Sequence, residues 1–246
     1  MALKAAPEDQ ALLLDLQELD TKLQQLGHKA SNLPEIATLL ELTAERSSLQ
    51  QTLAEQTGAW EDGQLELKRT EADVAVVEAR VARDKERLQA SASVKDVAAL
   101  EQELAALAKR QSDLEDIELA VMETVDERAA ALAASREAMA ALEERVAVAT
   151  AARDASLGEL EGERAHAAAN RDTIAAKVPA DLLALYEKQR ARYGVGASLL
   201  QGGVSKASGV KLNASDMVTI RAAAPDDVLL CPDSSAVLVR TAESGI

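Results

Sequence analysis

Hydrophobic residues recur at every seventh position in the central part of the chain, and this repeat limits the fold more than any other feature. From residue 53 to residue 88 the repeat has no gap: Leu53, Trp60, Leu67, Val74, Val81 and Leu88. A second series alternates three- and four-residue steps or their sums: Leu100, Leu104, Leu107, Leu114, Val121, Val125, Leu132, Met139, Leu142 and Val146. Such spacing puts apolar side chains on one stripe of a helix, which packs against another helix as a coiled coil.

The composition agrees with long helices that pack through narrow seams. Aromatic residues make up only 1% of the chain, while charged residues make up 28%. A composition rich in Ala, Leu, Glu and Arg with a seven-residue repeat is typical of coiled coils. No proline occurs between residues 35 and 178, so the sequence does not interrupt these helices.

Local signals predict where the helices begin and end. The first helix is predicted at about residues 7–30, because Pro7 suits a first turn and Leu12, Leu16, Leu19, Leu23 and Leu26 form a seam. A second helix is predicted to begin near residue 33, with Pro34 in its first turn. Ser93 followed by Asp96 is a capping-box signal, which predicts a third helix from there to about residue 177.

The helix lengths favour an antiparallel hairpin with its tip near residues 90–94. At 1.5 Å per residue, the second helix would span about 85 Å and the third about 125 Å. The first helix nearly accounts for the difference, so the first and second helices can pair with the third. The alternative is a parallel dimer of one long rod. The capped break at Ser93 favours the hairpin, although the seam spacing alone does not fix strand orientation.

The composition changes after Pro179. A short helix is predicted over about 179–192, ending at Gly194, and glycines then become frequent. The segments "VLL" and "AVLVR" flank the turn "CPDSS" and predict a β-hairpin. The predicted organisation is therefore mainly α: a hairpin over 1–178, a connecting helix over 179–194 and a small β domain over 195–246.

The charge distribution limits the possible partners. The net charge of −15 disfavours nucleic acid and anionic membranes as general partners. One segment, residues 182–221, has more bases than acids. Its acids are Glu187 and Asp216, and its bases are Lys188, Arg190, Arg192, Lys206, Lys211 and Arg221. These six cations are the candidate contacts for nucleic acid or another partner.

The single cysteine, Cys231, lies in one of two similar turns. One turn is Ser205–Ser208 and the other is Cys231–Ser234, and each has two residues between its end positions. Between Ser208 and Cys231 lie 22 residues. If every serine were cysteine, the pattern would be C-x2-C-x22-C-x2-C, which is close to a four-cysteine zinc ribbon.

The chain resembles a known family, the bacterial C4-type zinc-ribbon proteins with an N-terminal coiled-coil hairpin, in their actinobacterial branch. The matching stretches are "LLDLQELD" at 13–20, "LP" at 33–34, "LYEKQRA" at 185–191, "IRAAAPDDV" at 220–228, "CPDSSAVLVR" at 231–240 and "ESG" at 243–245. The resemblance implies a long helical hairpin with a small ribbon, and a role as an adaptor or a nucleic-acid-binding protein. Some branches of the family are tied to transcription and to protein export.

The resemblance puts the four zinc ligands of the family at Ser205, Ser208, Cys231 and Ser234, of which only Cys231 is a cysteine. A serine hydroxyl is a poor zinc ligand, so we predict that no zinc is bound. We also expect these side chains to converge and to hydrogen-bond with the amides of the turns. A monothiol redox site is the alternative for Cys-x-x-Ser. Pro232, an acid and a strand follow Cys231, and we do not expect that setting to lower its pKa.

The sequence contains no P-loop, no G-x-S-x-G, no H-E-x-x-H and no dinucleotide fingerprint, so we predict that the chain is not an enzyme. The leading prediction is an adaptor that binds a protein partner and no cofactor. The alternative is a nucleic-acid-binding regulator, for which Tyr186 and Tyr193 are the only candidates for base stacking. The N-terminal ten residues lack the apolar stretch of a signal peptide, which predicts a cytoplasmic protein. A monomer and a coiled-coil dimer both remain open.

Overall fold

Five α-helices and four short strands make up the fold in the computed structural model, which describes residues 3–245. The outermost residues of the predicted terminal domains, Met1, Ala2 and Ile246, lie outside this range. The elements in chain order are α1 (Pro7–Ser31), α2 (Pro34–Ala90), α3 (Val94–Ala175), α4 (Ala180–Tyr193), β1 (Ala197–Gln201), β2 (Val204–Ser205), α5 (Ala214–Ala222), β3 (Leu229–Leu230), β4 (Val237–Val239) and a 3-10 turn (Ala242–Ser244). The predicted fold class, a long antiparallel hairpin followed by a small β region, is confirmed.

Short-range chemistry accounts for the helix ends. Pro7 and Pro34 are the first residues of α1 and α2, where the missing N–H costs no helical hydrogen bond. The Ser93 hydroxyl accepts a hydrogen bond from the Asp96 amide at 3.4 Å, which confirms the predicted cap of α3. α4 ends at Gly194, whose φ of 82° lies in the left-handed region that glycine adopts without strain.

Residues 35–151 form one compact unit, in which α2 and α3 run antiparallel. The pairing partners establish the direction. Arg145 pairs with Glu45 at 2.9 Å, Arg128 donates to the Ala59 carbonyl at 2.8 Å, and Arg80 pairs with Glu103. Sequence separation between partners falls towards residues 91–93, so the chain reverses there, inside the predicted tip at 90–94.

The seam of this unit is only partly closed to solvent. Its most deeply buried apolar residues are Leu42, Leu100, Leu114, Val125, Leu132 and Leu142. The predicted seven-residue series from Leu53 to Leu88 lies on the seam but is only half-buried, because two helices cover one side of each other. Two polar residues, Thr70 and Asp84, are also buried in α2, and the apolar repeat did not predict them.

The second compact unit combines both ends of the chain, Met1–Pro34 and Ala152–Ile246. Its main core joins α1, the C-terminal end of α3, α4 and the sheet. The buried residues of this core are Ala5, Leu13, Leu16, Val178, Leu182, Tyr186, Ala197, Val237 and Val239. A smaller cluster on the other face of the sheet contains Leu200, Leu212, Ile220, Cys231 and Leu238.

The sheet has the strand order β2-β1-β4-β3. The pair β3–β4 is antiparallel, with Leu229 opposite Leu238 and Leu230 opposite Val237, which confirms the predicted hairpin around "CPDSS". β1 pairs antiparallel with β2 and parallel with β4. Alternation along β4 sends Val237 and Val239 to the main core and Leu238 to the smaller one. β1 and β2 were not predicted as strands.

Two contacts hold the segment between α5 and β3. The guanidinium of Arg240 donates to several backbone carbonyls, among them those of Ala224 at 2.7 Å and Asp227 at 2.8 Å. The N-terminal segment also runs beside it, since the Ala5 amide donates to the Asp226 carbonyl at 2.9 Å. The positive guanidinium thus adds hydrogen-bond donors to carbonyls at and just beyond the C-terminal end of α5.

The two compact units cut across the predicted ranges 1–178, 179–194 and 195–246. The cause is α1, which is distant in sequence from the sheet but packs on it through Leu13 and Leu16. The predicted ranges as independent domains stay a prediction.

Candidate functional site

The first of the two turns singled out in the sequence, Ser205–Ser208, is tied to the sheet by hydroxyl groups. The Gly209 amide donates to the Ser205 carbonyl at 2.8 Å and closes the turn. The Ser205 hydroxyl is fully buried and lies 2.9 Å from the hydroxyl of Ser198 on β1. The Ser198 oxygen also accepts from the Ala207 amide at 2.9 Å. Ser198, which sequence reasoning missed, therefore fixes this turn.

The second turn, Cys231–Ser234, has a similar construction. The Ser235 amide donates to the Cys231 carbonyl at 2.9 Å, and the Cys231 amide donates to the Ala236 carbonyl at 2.8 Å. Ser235 has a φ of 59°, a conformation that serine adopts only at some cost. The thiol of Cys231 is 1% exposed and packs in the smaller core.

Three of the four positions to which the resemblance assigned zinc ligands meet at the Cys231 thiol. Burial raises the pKa of this thiol, but hydrogen bonds from the Ser205 and Ser234 hydroxyls and from the amides of Ser234 and Asp233 favour the thiolate. Their combined effect is larger, so the pKa lies below its usual value. Ser208 hydrogen-bonds within its own turn, where it accepts from the Val210 amide at 3.3 Å.

The expectation that the Cys231 setting does not lower its pKa is therefore wrong. It considered only helix ends and basic side chains. The tight turn instead directs successive amide N–H groups at the sulfur, and such a concave set of amides favours an anion. The thiol is nevertheless closed off from solvent by the residues around it.

The donor set at these turns does not fit zinc. One thiol and three hydroxyls supply a single group of the type that zinc binds in proteins. Within residues 3–245, no cluster of three or more His, Cys, Asp or Glu side chains could hold a metal ion. The expectation that the chain binds no zinc stays a prediction.

A partly buried ionic network joins three helices, α1, α3 and α4. Asp20 on α1 is its centre: it accepts from Arg171 Nε of α3 at 2.7 Å, from Arg190 of α4 at 3.0 Å and from the Tyr186 hydroxyl at 2.6 Å. Glu187 pairs with both arginines. Asp20 favours the cationic form of Arg171 and raises its pKa, while burial and Asp20 raise the pKa of Tyr186.

One predicted contact residue belongs to this network. Arg190 was a candidate for binding phosphate or a partner, but its guanidinium is held by Asp20 and Glu187. The other two cations of α4, Lys188 and Arg192, are four residues apart and share a different face, because a helix turns by about 200° in two residues.

The remaining candidate cations lie on separate elements. Lys206 is in the first turn, Lys211 forms an isolated bridge with Val204, and Arg221 is in the last turn of α5. All three are exposed. The structure therefore does not gather the six predicted cations into one basic face, and their role as contacts stays a prediction.

These features define a class: proteins with a long antiparallel coiled-coil hairpin and a small C-terminal sheet. The chain belongs to the CT398-like coiled coil hairpin domain family, whose sequence pattern matches residues 16–194. The hairpin part of the predicted resemblance is thereby confirmed. The match ends before β1, so the zinc-ribbon origin of residues 195–246 stays a prediction.

Mycobacterial proteins are among the relatives. An uncharacterized protein of Mycobacterium tuberculosis, Rv2229c, is 35% identical over 239 residues, which cover 97% of this chain and 98% of the relative. A solved structure from Mycobacterium smegmatis is 36% identical, covers 97% of this chain and 100% of that one, and has a TM-score of 0.88. CT398 of Chlamydia trachomatis has the same fold, with a TM-score of 0.68 at 16% identity over 95% of this chain and 98% of that one.

Proposed function

We propose that this chain is a non-enzymatic adaptor. The α2–α3 hairpin is its arm, and the compact unit that contains the sheet is its binding head. The observation that carries the proposal is the hairpin itself. It uses nearly half of the chain, over residues 35–151, to build a seam that is only partly buried. Active sites usually lie in enclosed cavities, and a two-helix hairpin has little interior in which to form one. Its large exposed helix surface is better suited to binding a partner protein.

Exposed apolar residues on the hairpin support this role. Leu40, Val76, Leu119 and Val148 are 74%, 66%, 59% and 66% exposed. Isolated exposed leucines are ordinary on any surface, but along a coiled coil they provide positions into which a partner helix can pack. No helix in the described range, residues 3–245, is long and apolar enough to cross a membrane. We propose a cytoplasmic protein that works without a cofactor.

The part of the head formed by residues 195–246 is proposed to be a zinc ribbon that lost its metal. The matching two-residue spacing of the two turns and the meeting of Ser205, Cys231 and Ser234 support this origin. In place of metal–thiolate bonds, hydroxyl and thiol hydrogen bonds hold the turns in register. The head therefore keeps its surface without zinc.

Nucleic-acid binding is the rival function, and two observations weigh against it. Arg190 is engaged by Asp20, and the other five candidate cations are divided among α4, the first turn, α5 and the loop that leads to α5. Aromatic platforms for bases are also scarce, since Tyr186 is fully buried and Tyr193 packs under Arg192, whose guanidinium carbon lies 5.2 Å from the ring centre.

Site-specific photo-crosslinking in the native host tests the adaptor. A photoreactive amino acid replaces Leu119 on the hairpin, or Val218 on α5, which is 65% exposed. We expect discrete protein adducts from at least one position. The matched control replaces the buried Leu142, which should give adducts within the chain only. Adducts with nucleic acid alone, or no discrete adduct from either exposed position, would contradict the proposal.

A gel-shift assay tests the alternative function, nucleic-acid binding, directly. Phosphate contacts release counterions, so nucleic-acid binding should be strong at low salt and should fall steeply as salt rises. We expect no shift at low salt with single- or double-stranded probes. Oligomeric state is measured in the same preparation by light scattering, because a monomer and a coiled-coil dimer present different hairpin surfaces to a partner.

A further inference from the structure

A groove of about 820 Å³ lies between α1 and β1 in the unit that contains the sheet. Its floor is apolar and includes Leu14, Leu26 and Leu199. Ligand sites in proteins commonly measure about 300–1,000 Å³, so the groove is large enough for a few side chains of a bound peptide segment. It does not overlap the Cys231 turn or the network around Asp20.

The walls of the groove are fixed by partly buried polar contacts. Gln17 of α1 accepts through Oε1 from the Gly196 amide at 2.7 Å, which holds the helix against the start of β1. The opposite wall is the turn that carries Lys206 and Ala207. The Lys206 amide donates to the Leu199 carbonyl at 3.0 Å, and Ser198 holds the Ala207 amide. The groove is thus preformed.

The charges that line the groove are unusual for this chain. Lys22, Lys29 and Lys206 line it, together with Glu18 and Glu163. All five are exposed, and none forms an ion pair with any residue in the range 3–245. The lining is net positive in a chain whose net charge is −15. In the same unit, by contrast, Arg171 and Arg190 are neutralised by Asp20 and Glu187.

We propose that this groove binds an acidic, aliphatic segment of a partner protein, with its apolar side chains on the leucine floor and its carboxylates on Lys22, Lys29 and Lys206. The proposal rests on the adaptor function and names the chemistry that its head recognises. Unpaired lysines on both walls attract carboxylates, and electrostatic complementarity of this kind sets partner choice and the rate of association. No aromatic residue lines the groove, which removes the stacking surface that single-stranded nucleic acid uses.

Fluorescence anisotropy on the full chain tests the proposal with defined probes. The probe is a labelled soluble peptide with the repeat Leu-Glu-Glu-Ser, and its matched controls carry Leu-Gln-Gln-Ser and Leu-Lys-Lys-Ser. We expect saturable binding of the glutamate peptide alone. The variant K22E/K206E should weaken that binding by about tenfold, since two attractive contacts become repulsive.

The control variant K85E/K109E changes net charge equally at two exposed hairpin lysines and should change binding by less than about twofold. Circular dichroism of both variants should match the parent. Equal binding of the glutamine peptide, an equal loss in the control variant, tighter binding of an oligonucleotide probe, or no binding would each overturn the groove assignment. If the peptide does not bind but the photoreactive residue at position 119 gives discrete protein adducts, the groove assignment is wrong and the adaptor proposal is retained. If both fail, both proposals fall.

Discussion

The hydroxyl of Tyr186 on α4 donates a 2.6 Å hydrogen bond to Oδ2 of Asp20 on α1, a residue 166 positions earlier in the chain. Both residues are buried. Burial and the negative charge of Asp20 raise the pKa of the Tyr186 hydroxyl, so it keeps its proton and remains a donor. The bond therefore links α1 to α4, the short helix that follows the hairpin.

Replacing Tyr186 with Phe should lower the free energy of unfolding by about 1.5–3 kcal/mol, because a buried bond to a charged acceptor is lost. Urea unfolding followed by circular dichroism measures the change. The control is Tyr193→Phe, at a residue 46% exposed, which should cost less than about 0.5 kcal/mol. If both variants lose the same stability, the bond to Asp20 contributes nothing specific.

Gly196 should not tolerate a side chain. A Cβ there would lie 2.5 Å from Cε2 of Tyr186 and 2.9 Å from its carbonyl oxygen. Gly196→Ala should therefore cost at least about 1–3 kcal/mol, the range for overpacked cores. Gly27, inside α1, has open space around it, and Gly27→Ala should stabilise the chain by about 0.5–1 kcal/mol. Thermal and urea unfolding of the two variants should move in opposite directions.

The Cys231 thiol should make stability depend on pH. Its pKa is lowered in the folded chain, so the folded state releases this proton more readily than the unfolded state does. The resulting stabilisation is fully present above the unfolded pKa and disappears as pH falls through the folded pKa. We expect the unfolding free-energy difference between the parent and Cys231→Ala to grow as pH rises towards the ordinary cysteine pKa of about 8.5 and to level off above it.

A constant offset between the two proteins would show that loss of packing accounts for the whole effect of Cys231→Ala. A difference that shrinks with rising pH would mean that burial outweighs the hydroxyl and amide hydrogen bonds.

Restoring the three missing thiols should restore a metal site if the head descends from a zinc ribbon. The parent chain should purify without zinc, as measured by plasma mass spectrometry. The variant S205C/S208C/S234C should bind zinc in a four-thiolate site and gain resistance to unfolding that a chelator removes. The single variant S208C is the control and should bind none. Zinc at one per chain in the parent would contradict the metal-free head.

The helix boundaries were predictable because each depends on a few neighbouring residues. Pro34, Ser93 with Asp96, and Gly194 are local signals, and each marks a helix end in the structure. The hairpin around Cys231 was predictable for the same reason. β1 and β2 were missed because Ala197–Gln201 and Val204–Ser205 are short and flanked by glycines. In addition, β1 depends on parallel pairing with β4, which lies far along the chain, and among the described strands β2 pairs only with β1.

The Asp20 network could not be predicted, because its members come from three helices and nothing local distinguishes a buried acid from the many exposed ones. Arg190 shows the same limit. In the sequence it is one of six cations in a basic stretch, and only the face of α4 on which it lies decides that it turns inward. Tyr186, Glu187 and Arg190 all lie within "LYEKQRA", and Asp20 ends "LLDLQELD".

The division of the second unit into two distant pieces has a consequence for the order of folding. Leu13 and Leu16 cannot meet Tyr186 or Val237 until the ribosome has made both long hairpin helices, which lie between them in the sequence. If α2 and α3 were unstructured at that time, closing so long a loop would be slow, because its entropy must be lost before distant contacts form. Helical pairing across residues 35–151 brings the two pieces together through local steps. The hairpin can therefore serve during synthesis as the scaffold on which the unit that contains the sheet assembles.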